Sequence, residues 1–261
     1  MSGRTYKSLA LAVEIAVPIA ILIVWQLWTA HANNPEFPKL TSILHDFREL
    51  WLFEQFDDDV VPSLKRIGAG FGIATVLGVA LGVPLGMSHW TRRLAMPHIE
   101  YWRAMPPPAL LPISIVLLKD IGDKQKISFI AFFCLWPVLL NTMDGVRSID
   151  PTLVDTARSY NVPRHERVRR LVLPAALPQI VAGMRTSLSL AVIMMVLAEF
   201  FSSTNGVGYQ LLNAKNTLQL GTMWAAILLI GLLGYLLNLV FLLAERRVLA
   251  WHRGWRAATP Q

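Results

Sequence analysis

The sequence contains little charge and almost no cysteine. Only 16% of its 261 residues are charged, and Cys134 is its single cysteine. One cysteine excludes a disulfide scaffold, and a hydrophobic content of 54% excludes an intrinsically disordered chain. An average soluble domain carries about 25% charged residues. The shortage of charge favours a membrane protein, while the net charge of +7 leaves a nucleic-acid binder open until the basic residues are located.

The usual signatures of catalysis and energy conversion are also missing. No stretch matches the phosphate-binding pattern G-x-x-x-x-G-K-[S/T], and neither a G-x-S-x-G turn nor a zinc-type histidine spacing occurs. Glu14, Arg185 and Glu199 lie near the ends of apolar runs, whereas proton and ion relays use charges inside them. We therefore predict no catalytic residue, no metal and no cofactor on this chain, and an energy source on another subunit.

Long apolar runs predict an all-α membrane protein that forms a single transmembrane domain over residues 1–261. About 20 apolar residues in a helix cross a bilayer core of about 30 Å. Six spans are predicted, at about residues 9–29, 67–87, 104–118, 127–143, 181–201 and 222–244. The first run could be a cleaved signal peptide, but its length favours a retained helix. The third is short and rich in proline, so it could instead be re-entrant.

The basic residues help to choose between a third span and a re-entrant segment. With six spans, fifteen of the 24 basic residues lie on one side of the membrane and eight on the other. If the third run does not cross, the arginine-rich loop 144–179 changes sides and the bias is lost. Because Lys and Arg concentrate in cytoplasmic loops, we expect six spans with both termini in the cytoplasm. Charges placed in this way also argue against a nucleic-acid partner.

Three glycines in the second span predict a packing surface. They repeat every four residues and therefore lie on one helix face, at Gly78, Gly82 and Gly86. Glycines at this spacing allow two membrane helices to approach closely. We interpret the stripe as a contact within the chain, with a moving interface as the alternative.

The polar features on the other side of the membrane are interpreted as structural. The segment 31–60 is acidic, and its three consecutive aspartates, Asp57, Asp58 and Asp59, are typical of a solvated turn. Glu199 precedes the turn 206–208, and we interpret its carboxylate as an acceptor for the backbone amides of that turn.

The loop 144–179 is the most informative segment. Asp150 and Pro151 have the form of an N-cap followed by proline at the first helical position. A helix can run from there to Tyr160, and Asn161 tolerates the left-handed conformation that closes a helix. A second short helix is predicted to begin at Val162-Pro163 and to end at Leu173-Pro174. Two short helices that project from the membrane suit docking on a soluble partner.

This loop resembles the EAA-loop of permease subunits from bacterial ABC importers. The family pattern reads E-A-A, three residues, G, nine residues, I, one residue, L-P, and the chain reads VDTARSYNVPRHERVRRLVLPAALPQIVAG. Ala157, Leu173 and Pro174 match the pattern; Asp155, Thr156, Asn161 and Leu171 depart from it at the correct spacing. The stretches AMPPPALLPISIVLL, NTMDGVRSIDPTLVDTARS and AEFFSSTNGVGYQLL look like the branch that imports nitrate, aliphatic sulfonates and taurine.

The resemblance implies a type I ABC importer permease fold in a bacterial inner membrane, with this loop acting as the coupling helix. It also implies two copies of an ATPase subunit that bind ATP and Mg, a periplasmic or lipid-anchored substrate-binding protein, and a second permease copy within the lipid bilayer. The ATPase-coupling residues would be Val154, Asp155, Thr156, Ala157, Tyr160, Asn161, Val162, Arg164, Leu173 and Pro174.

The expected function is a non-catalytic permease subunit that forms the translocation path for a small, anionic solute such as a sulfonate, taurine or nitrate. An aromatic acid or a pyrimidine vitamin precursor stays open as the substrate, and a self-sufficient secondary transporter or channel is the alternative function. Candidate path residues are Ser114, Ser128, Asn141, Ser187, Ser189, Met194 and Asn238. Each polar one could equally serve as a hydrogen bond between helices.

Overall fold

The computed structural model describes residues 3–32, 36–51 and 55–251, and within these ranges all regular structure is helical. The α-helices are α1 Gly3–Ala32, α2 Leu40–Glu49, α3 Val61–Met87, α4 His89–Ala104, α5 Pro107–Leu118, α6 Asp123–Arg147, α7 Pro151–Ser159, α8 Arg164–Arg167, α9 Leu173–Ser202, α10 Val207–Asn216 and α11 Leu220–Val248. Wider π-helical turns at Phe56–Val60 and Val168–Val172 lead directly into α3 and α9.

Four helical stretches are long and apolar enough to cross a membrane. They are Phe56–Met87, Asp123–Arg147, Arg164–Phe201 and Leu220–Val248, and they contain the predicted second, fourth, fifth and sixth spans. The predicted third span corresponds to a shorter apolar stretch, Pro107–Leu118, and the predicted first span lies within α1, Gly3–Ala32. The all-helical membrane class is confirmed.

The third predicted span is shorter than expected. The prediction began at residue 104, but the helix breaks at Met105 and Pro106, which adopt extended conformations. The cause is local, because a residue that precedes proline is disfavoured in the α-helical region, and each of these two precedes one. The 12 residues of α5 are therefore only about 18 Å long at 1.5 Å per residue.

Helices α3, α6 and α9 form the centre of the bundle, and the glycine stripe joins the first two. A Cβ atom built on Gly78 would lie 2.8 Å from Val138, and one built on Gly82 would lie 2.6 Å from Thr142. Gly86 likewise faces Val146 of α6 at 2.8 Å. Backbone and side chains are therefore in direct contact along this seam, which confirms the predicted packing surface within the chain.

The same contacts give the relative directions of the helices. Gly70 faces Ile130 and Gly86 faces Val146, so α3 and α6 run parallel. Gly183 faces Asn141, and Gly145 faces Gln179, so α9 runs antiparallel to α6. We call the end of the bundle that carries α7 the loop end, and the opposite end the far end. The far end gathers the N-termini of α3 and α6 with the C-terminus of α9.

Helix α4 returns along α6 from the loop end. Arg92 reaches Asp144 of α6, while Ile99 is buried against Trp136, Leu139 and Met143. The ring centroids of Trp102 and Phe132 lie 5.7 Å apart. Successive residues of α4 therefore contact successively earlier turns of α6, and α5 continues toward the far end.

Candidate functional site

Helix α7 begins with the cap that the sequence predicts. The carboxylate of Asp150 accepts a hydrogen bond of 2.8 Å from the backbone N–H of Thr152, and Pro151 occupies the first helical turn. This backbone bond is the main cause that lowers the pKa of the Asp150 carboxyl below its usual value. The cap therefore stays ionised, and its stabilising effect is present at neutral pH and is lost only as the pH falls through that lowered pKa.

The other end of α7 closes with a left-handed residue. Asn161 has φ of 54°; its N–H donates to the carbonyl of Arg158 at 2.9 Å, and the N–H of Val162 donates to the carbonyl of Ala157 at 3.0 Å. This pair of bonds is a Schellman motif. It explains the spacing in the sequence, because the residue four positions after Ala157 must tolerate positive φ. The predicted left-handed conformation of Asn161 is confirmed.

Eight of the ten predicted coupling residues lie on the surface of the loop end, whereas Leu173 and Pro174 begin α9 and Leu173 packs against the buried cluster around Val172. No residue of α7 is buried, and Tyr160 is 79% exposed while Leu153 is 51% exposed. Val154, Ala157 and Val162 are half-buried, whereas Asp155, Thr156, Asn161 and Arg164 are exposed. A capped helix that presents apolar and charged side chains to solvent is suited to contact another protein.

The prediction that Leu173-Pro174 ends the second short helix is wrong. Helix α8, the π-helical turn Val168–Val172 and α9 form one continuous stretch, in which Leu173 and Pro174 begin α9. Proline inside a helix normally clashes with the carbonyl four residues earlier. Here the wider turn immediately before Pro174 accommodates its ring.

That continuity connects the loop to the centre of the bundle. Val172 is buried with Val83, Val146, Ala176 and Ile180, which come from α3, α6 and α9. The loop is therefore joined to the centre of the bundle through a packed, continuous helical stretch.

The predicted path residues do not form one site within this chain. Ser114 and Ser128 line the same apolar groove of about 290 Å³ between α5 and α6, and Ser114 also accepts a 2.7 Å hydrogen bond from Gln125. Ser189 and Asn238 meet between α9 and α11, at 3.4 Å.

The remaining predicted path residues lie between α6 and α9. The Ser187 hydroxyl is buried and donates to the carbonyl of Cys134 at 2.8 Å. Met194 is buried in the main apolar cluster. Asn141 accepts from the side chain of Gln179 at 3.1 Å. These three are placed to hold α6 against α9.

The far end contains a buried polar cluster around Glu199, of which the sequence predicted only the contact to the turn 206–208. Glu199 accepts a 2.8 Å hydrogen bond from the N–H of Gly208, which confirms its predicted role in that turn. The same carboxylate also accepts from the hydroxyl of Ser63 at 2.8 Å and from the guanidinium of Arg66 at 2.6 Å. Glu199 and Arg66 are 0% and 2% exposed, so the chain contains a desolvated ion pair between α3 and α9.

Arg66 uses each of its guanidinium nitrogens. Its Nε donates to Asp123 at 2.7 Å, Nη2 donates to the side chain of Asn205 at 2.7 Å, and Nη1 reaches the Asn205 carbonyl at 3.1 Å in addition to Glu199. One side chain therefore joins α3, α6, α9 and the loop that precedes α10. We call Asp59, Ser63, Arg66, Asp123, Glu199 and Asn205 the far-end cluster.

The interpretation of the three aspartates as a solvated turn is wrong for one of them. Asp57 and Asp58 are exposed, but Asp59 is 2% exposed. Its carboxylate accepts from the N–H of Gly206 at 2.6 Å and from the side chain of Gln210 at 2.9 Å. Gly206 has φ of 115°, and a Cβ there would lie 2.5 Å from the Glu199 carboxyl carbon. The turn therefore requires glycine at this position.

Comparison with known proteins identifies the fold and the family. Residues 74–250 match the family described as the binding-protein-dependent transport system inner membrane component. The chain belongs to this family. It is 30% identical over 92% of its length to a protein named as the aliphatic sulfonates transport permease SsuC of Bacillus subtilis (strain 168), of which it covers 88%. It is 34% identical to the protein of the same name in Escherichia coli (strain K12), with 90% of each chain covered.

The chain is also similar to a bicarbonate permease and to a solved ABC transporter structure. The permease is 28% identical over 92% of its length to the bicarbonate transport system permease protein CmpB of Synechococcus elongatus, and covers 89% of that protein. A chain in an inward-facing structure of the MetNI methionine ABC transporter superposes with a TM-score of 0.62 at 18% identity, covering 72% of the permease and 95% of that chain. At this identity the structural likeness shows the fold alone.

The predicted family is therefore confirmed. The chain is a multi-pass inner-membrane permease subunit without catalytic activity, and ATP hydrolysis takes place in a partner ATPase. Permeases of this kind work with that ATPase and with a substrate-binding protein. Family membership decides against the alternative of a self-sufficient transporter or channel.

Proposed function

We propose that this permease forms the translocation path for a small anion delivered by a binding protein, with α7 as the contact to the ATPase. The observation that carries the proposal is α7 itself, a helix capped at both ends, without a buried residue, and joined to the bundle through the continuous stretch that ends in α9. The relatives named for aliphatic sulfonates and for bicarbonate support an anionic substrate.

We further propose six crossings with both termini in the cytoplasm. Because α3 and α6 run parallel, the chain between them has to return from the loop end to the far end. Helix α4 already follows α6 part of that way, so α4 and α5 together supply a broken crossing where α5 alone is too short. This arrangement supports a crossing rather than a re-entrant third segment within a single transmembrane domain, residues 1–261.

Cysteine labelling tests the orientation. In a Cys134→Ser background, Ser159→Cys on α7 and Lys215→Cys on α10 are exposed positions at opposite ends of the bundle. A membrane-impermeant maleimide applied to intact cells should label the second and not the first, and inverted vesicles should give the reverse. Labelling of both from one side would contradict the proposed topology.

We propose that two copies of this chain form the path, with the groove that contains Ser114 and Ser128 facing the second copy. Exposed apolar side chains surround that groove on α5, including Ile113, Val116 and Leu117, and one coupling loop per chain fits one ATPase per permease. Native mass spectrometry of the purified complex should give two permeases and two ATPases. A single permease, or a second and different one, would contradict the homodimer.

The contact to the ATPase can be tested at Ala157, which is half-buried on α7. Ala157→Glu places a charge in the proposed interface, where an unpaired charge is costly to desolvate. We expect at least a tenfold loss of uptake and of ATPase stimulation by the binding protein, at unchanged amounts in the membrane. Ala250→Glu, at an exposed position near the end of α11, is the matched control. Unchanged uptake in Ala157→Glu, or an equal loss in the control, would contradict the assignment.

Substrate selection is tested by uptake in a deletion strain that carries the permease with its ATPase and binding protein. Uptake is measured for labelled alkanesulfonate, taurine, nitrate and bicarbonate. We expect one of these compounds to be taken up much faster than the others, and unlabelled analogues of that compound to inhibit its uptake. Transport of a neutral pyrimidine precursor alone would replace the proposed substrate class while leaving the permease role intact, whereas transport of an aromatic acid, itself an anion, would keep the class and exclude the inorganic anions and sulfonates.

A further inference from the structure

A basic cleft at the loop end is not explained by coupling or by the path. It is an open cavity of about 490 Å³ between α4 and the C-terminal turn of α6, lined by His89, Arg92, Arg93, Met96, Pro97, Glu100 and Arg147. Six of these residues lie on α4 at intervals of three and four, so they form one stripe along that helix. Arg147 faces the stripe from α6.

The cleft has a positive excess. Asp144 is shared between Arg92 at 3.8 Å and Arg147 at 4.0 Å, and Glu100 pairs with Arg103 at 3.4 Å. Three arginines and one carboxylate, Glu100, line the cleft itself, and the neighbouring Arg103 and Asp144 add one charge of each sign. Among the described residues no ion-pair partner is found for Arg93, so its guanidinium is available to an anion in the cleft.

An apolar strip runs beside the basic stripe on the same helix. Trp90, Leu94 and Tyr101 are 74%, 72% and 61% exposed and lie about 60–100° further round α4 than Arg93, given 100° per residue. The third face of α4 is buried through Ile99. At the loop end, α4 therefore presents a basic face beside an exposed aromatic-apolar face, and basic and aromatic side chains are enriched where membrane helices meet the lipid headgroups.

We propose that this cleft binds an anionic phospholipid, with the phosphate headgroup between Arg93 and Arg147 and the acyl chains against Trp90, Leu94 and Tyr101. A soluble phosphate or sulfonate would use the arginines but would leave the apolar strip without a role. The adjacency of the two surfaces therefore favours a lipid as the occupant. Basic pockets next to membrane helices bind lipid headgroups through the same combination of charge and apolar contact.

Native mass spectrometry of the full chain in detergent tests the proposal. The chain is titrated with phosphatidylglycerol and, separately, with phosphatidylcholine of the same acyl chains. We expect tighter binding of phosphatidylglycerol, and a loss in R93A/R147A of about fivefold per arginine, or roughly 25-fold for the pair. R246A/R247A removes the same charge from two exposed positions on α11 and should bind as the parent does. R93K/R147K keeps the charge and should retain most of the affinity.

Several outcomes would overturn the proposal. An equal loss in R246A/R247A would show a general charge effect rather than a site. Competition by soluble glycerol 3-phosphate at the same affinity as the lipid would show a site for a soluble anion. Unchanged lipid binding in R93A/R147A, with loss of the ATPase from the purified complex, would show that the cleft is a subunit contact. Loss of binding in R93K/R147K together with a lowered melting temperature would show that the arginines only support the fold.

Discussion

The ion pair between Arg66 and Glu199 allows a sharp test of what holds the far end of the bundle together. Arg66→Met keeps most of the buried apolar volume but removes the donors that reach Glu199, Asp123 and Asn205 at 2.6–3.1 Å. It leaves a carboxylate that is 0% exposed without its counter-ion. Removal of one partner from a buried pair costs about 3–5 kcal/mol. For a chain of this size, that corresponds to a melting temperature lowered by roughly 10 °C.

The protein carries its own reporter for this measurement. Cys134 is the single cysteine and is 0% exposed, so a thiol-reactive fluorescent maleimide reacts only when the bundle opens. Heating the detergent-solubilised chain with the dye gives the melting curve. The control is Lys65→Met, which removes the same charge from an exposed neighbour. Surface substitutions of this kind usually change the free energy of unfolding by less than about 0.5 kcal/mol. The control should therefore melt within about 2 °C of the parent.

The pairing itself is tested with a second substitution. Glu199→Leu alone should be destabilising because it leaves Arg66 buried without its main acceptor. The double variant Arg66→Met/Glu199→Leu removes both charges. Its melting temperature should fall by less than the sum of the decreases in the two single variants. If Arg66→Met melts with the control, or if the two losses simply add, the reasoning that this pair closes the far end is refuted.

Three further changes probe backbone positions that the structure singles out. Asn161→Gly should leave ATPase binding unchanged, whereas Asn161→Val should weaken it. The reason is that the left-handed conformation costs a residue such as valine about 1–2 kcal/mol. Co-purification of the ATPase measures binding in both variants. Gly82→Leu should lower the melting temperature strongly or prevent folding, since a Cβ would meet Thr142 at 2.6 Å, while Gly231→Leu, with open space around it, should not. Gly206→Ala should also melt early, because its φ is 115° and its Cβ would contact the Glu199 carboxyl.

Features that depend on neighbouring residues could be predicted from the sequence. The cap at Asp150, the left-handed Asn161 and the bond from the Gly208 amide to Glu199 all connect residues within ten positions of each other. Their geometry follows from residue type and spacing. The glycine stripe of α3 was predictable for a similar reason, since its period places three small residues on one face regardless of which helix packs there.

The effect of proline on a helix could not be predicted from the sequence, because it depends on the backbone and packing around the proline. Leu173-Pro174 was expected to end a helix, because proline usually does; a single wider turn before it allows α9 to continue. Whether the third apolar run forms one straight span could not be decided from the sequence, and in the structure two extended residues separate α4 from the short α5. Sequence pattern indicates that a proline disturbs a helix, but the packing around it decides whether the helix kinks, widens or stops.

The sequence by itself determined the membrane class, the apolar runs, the family and the capped loop, because composition, hydrophobic length and capping are properties of short stretches of chain. Only the tertiary structure decided the far-end cluster. Arg66 and Asp59 look like ordinary charges at the start of a span, and their partners lie 133 and 147 residues away. A charge beside an apolar run can extend into water or form a buried pair, and only the folded arrangement of α3, α9 and α10 distinguishes the two.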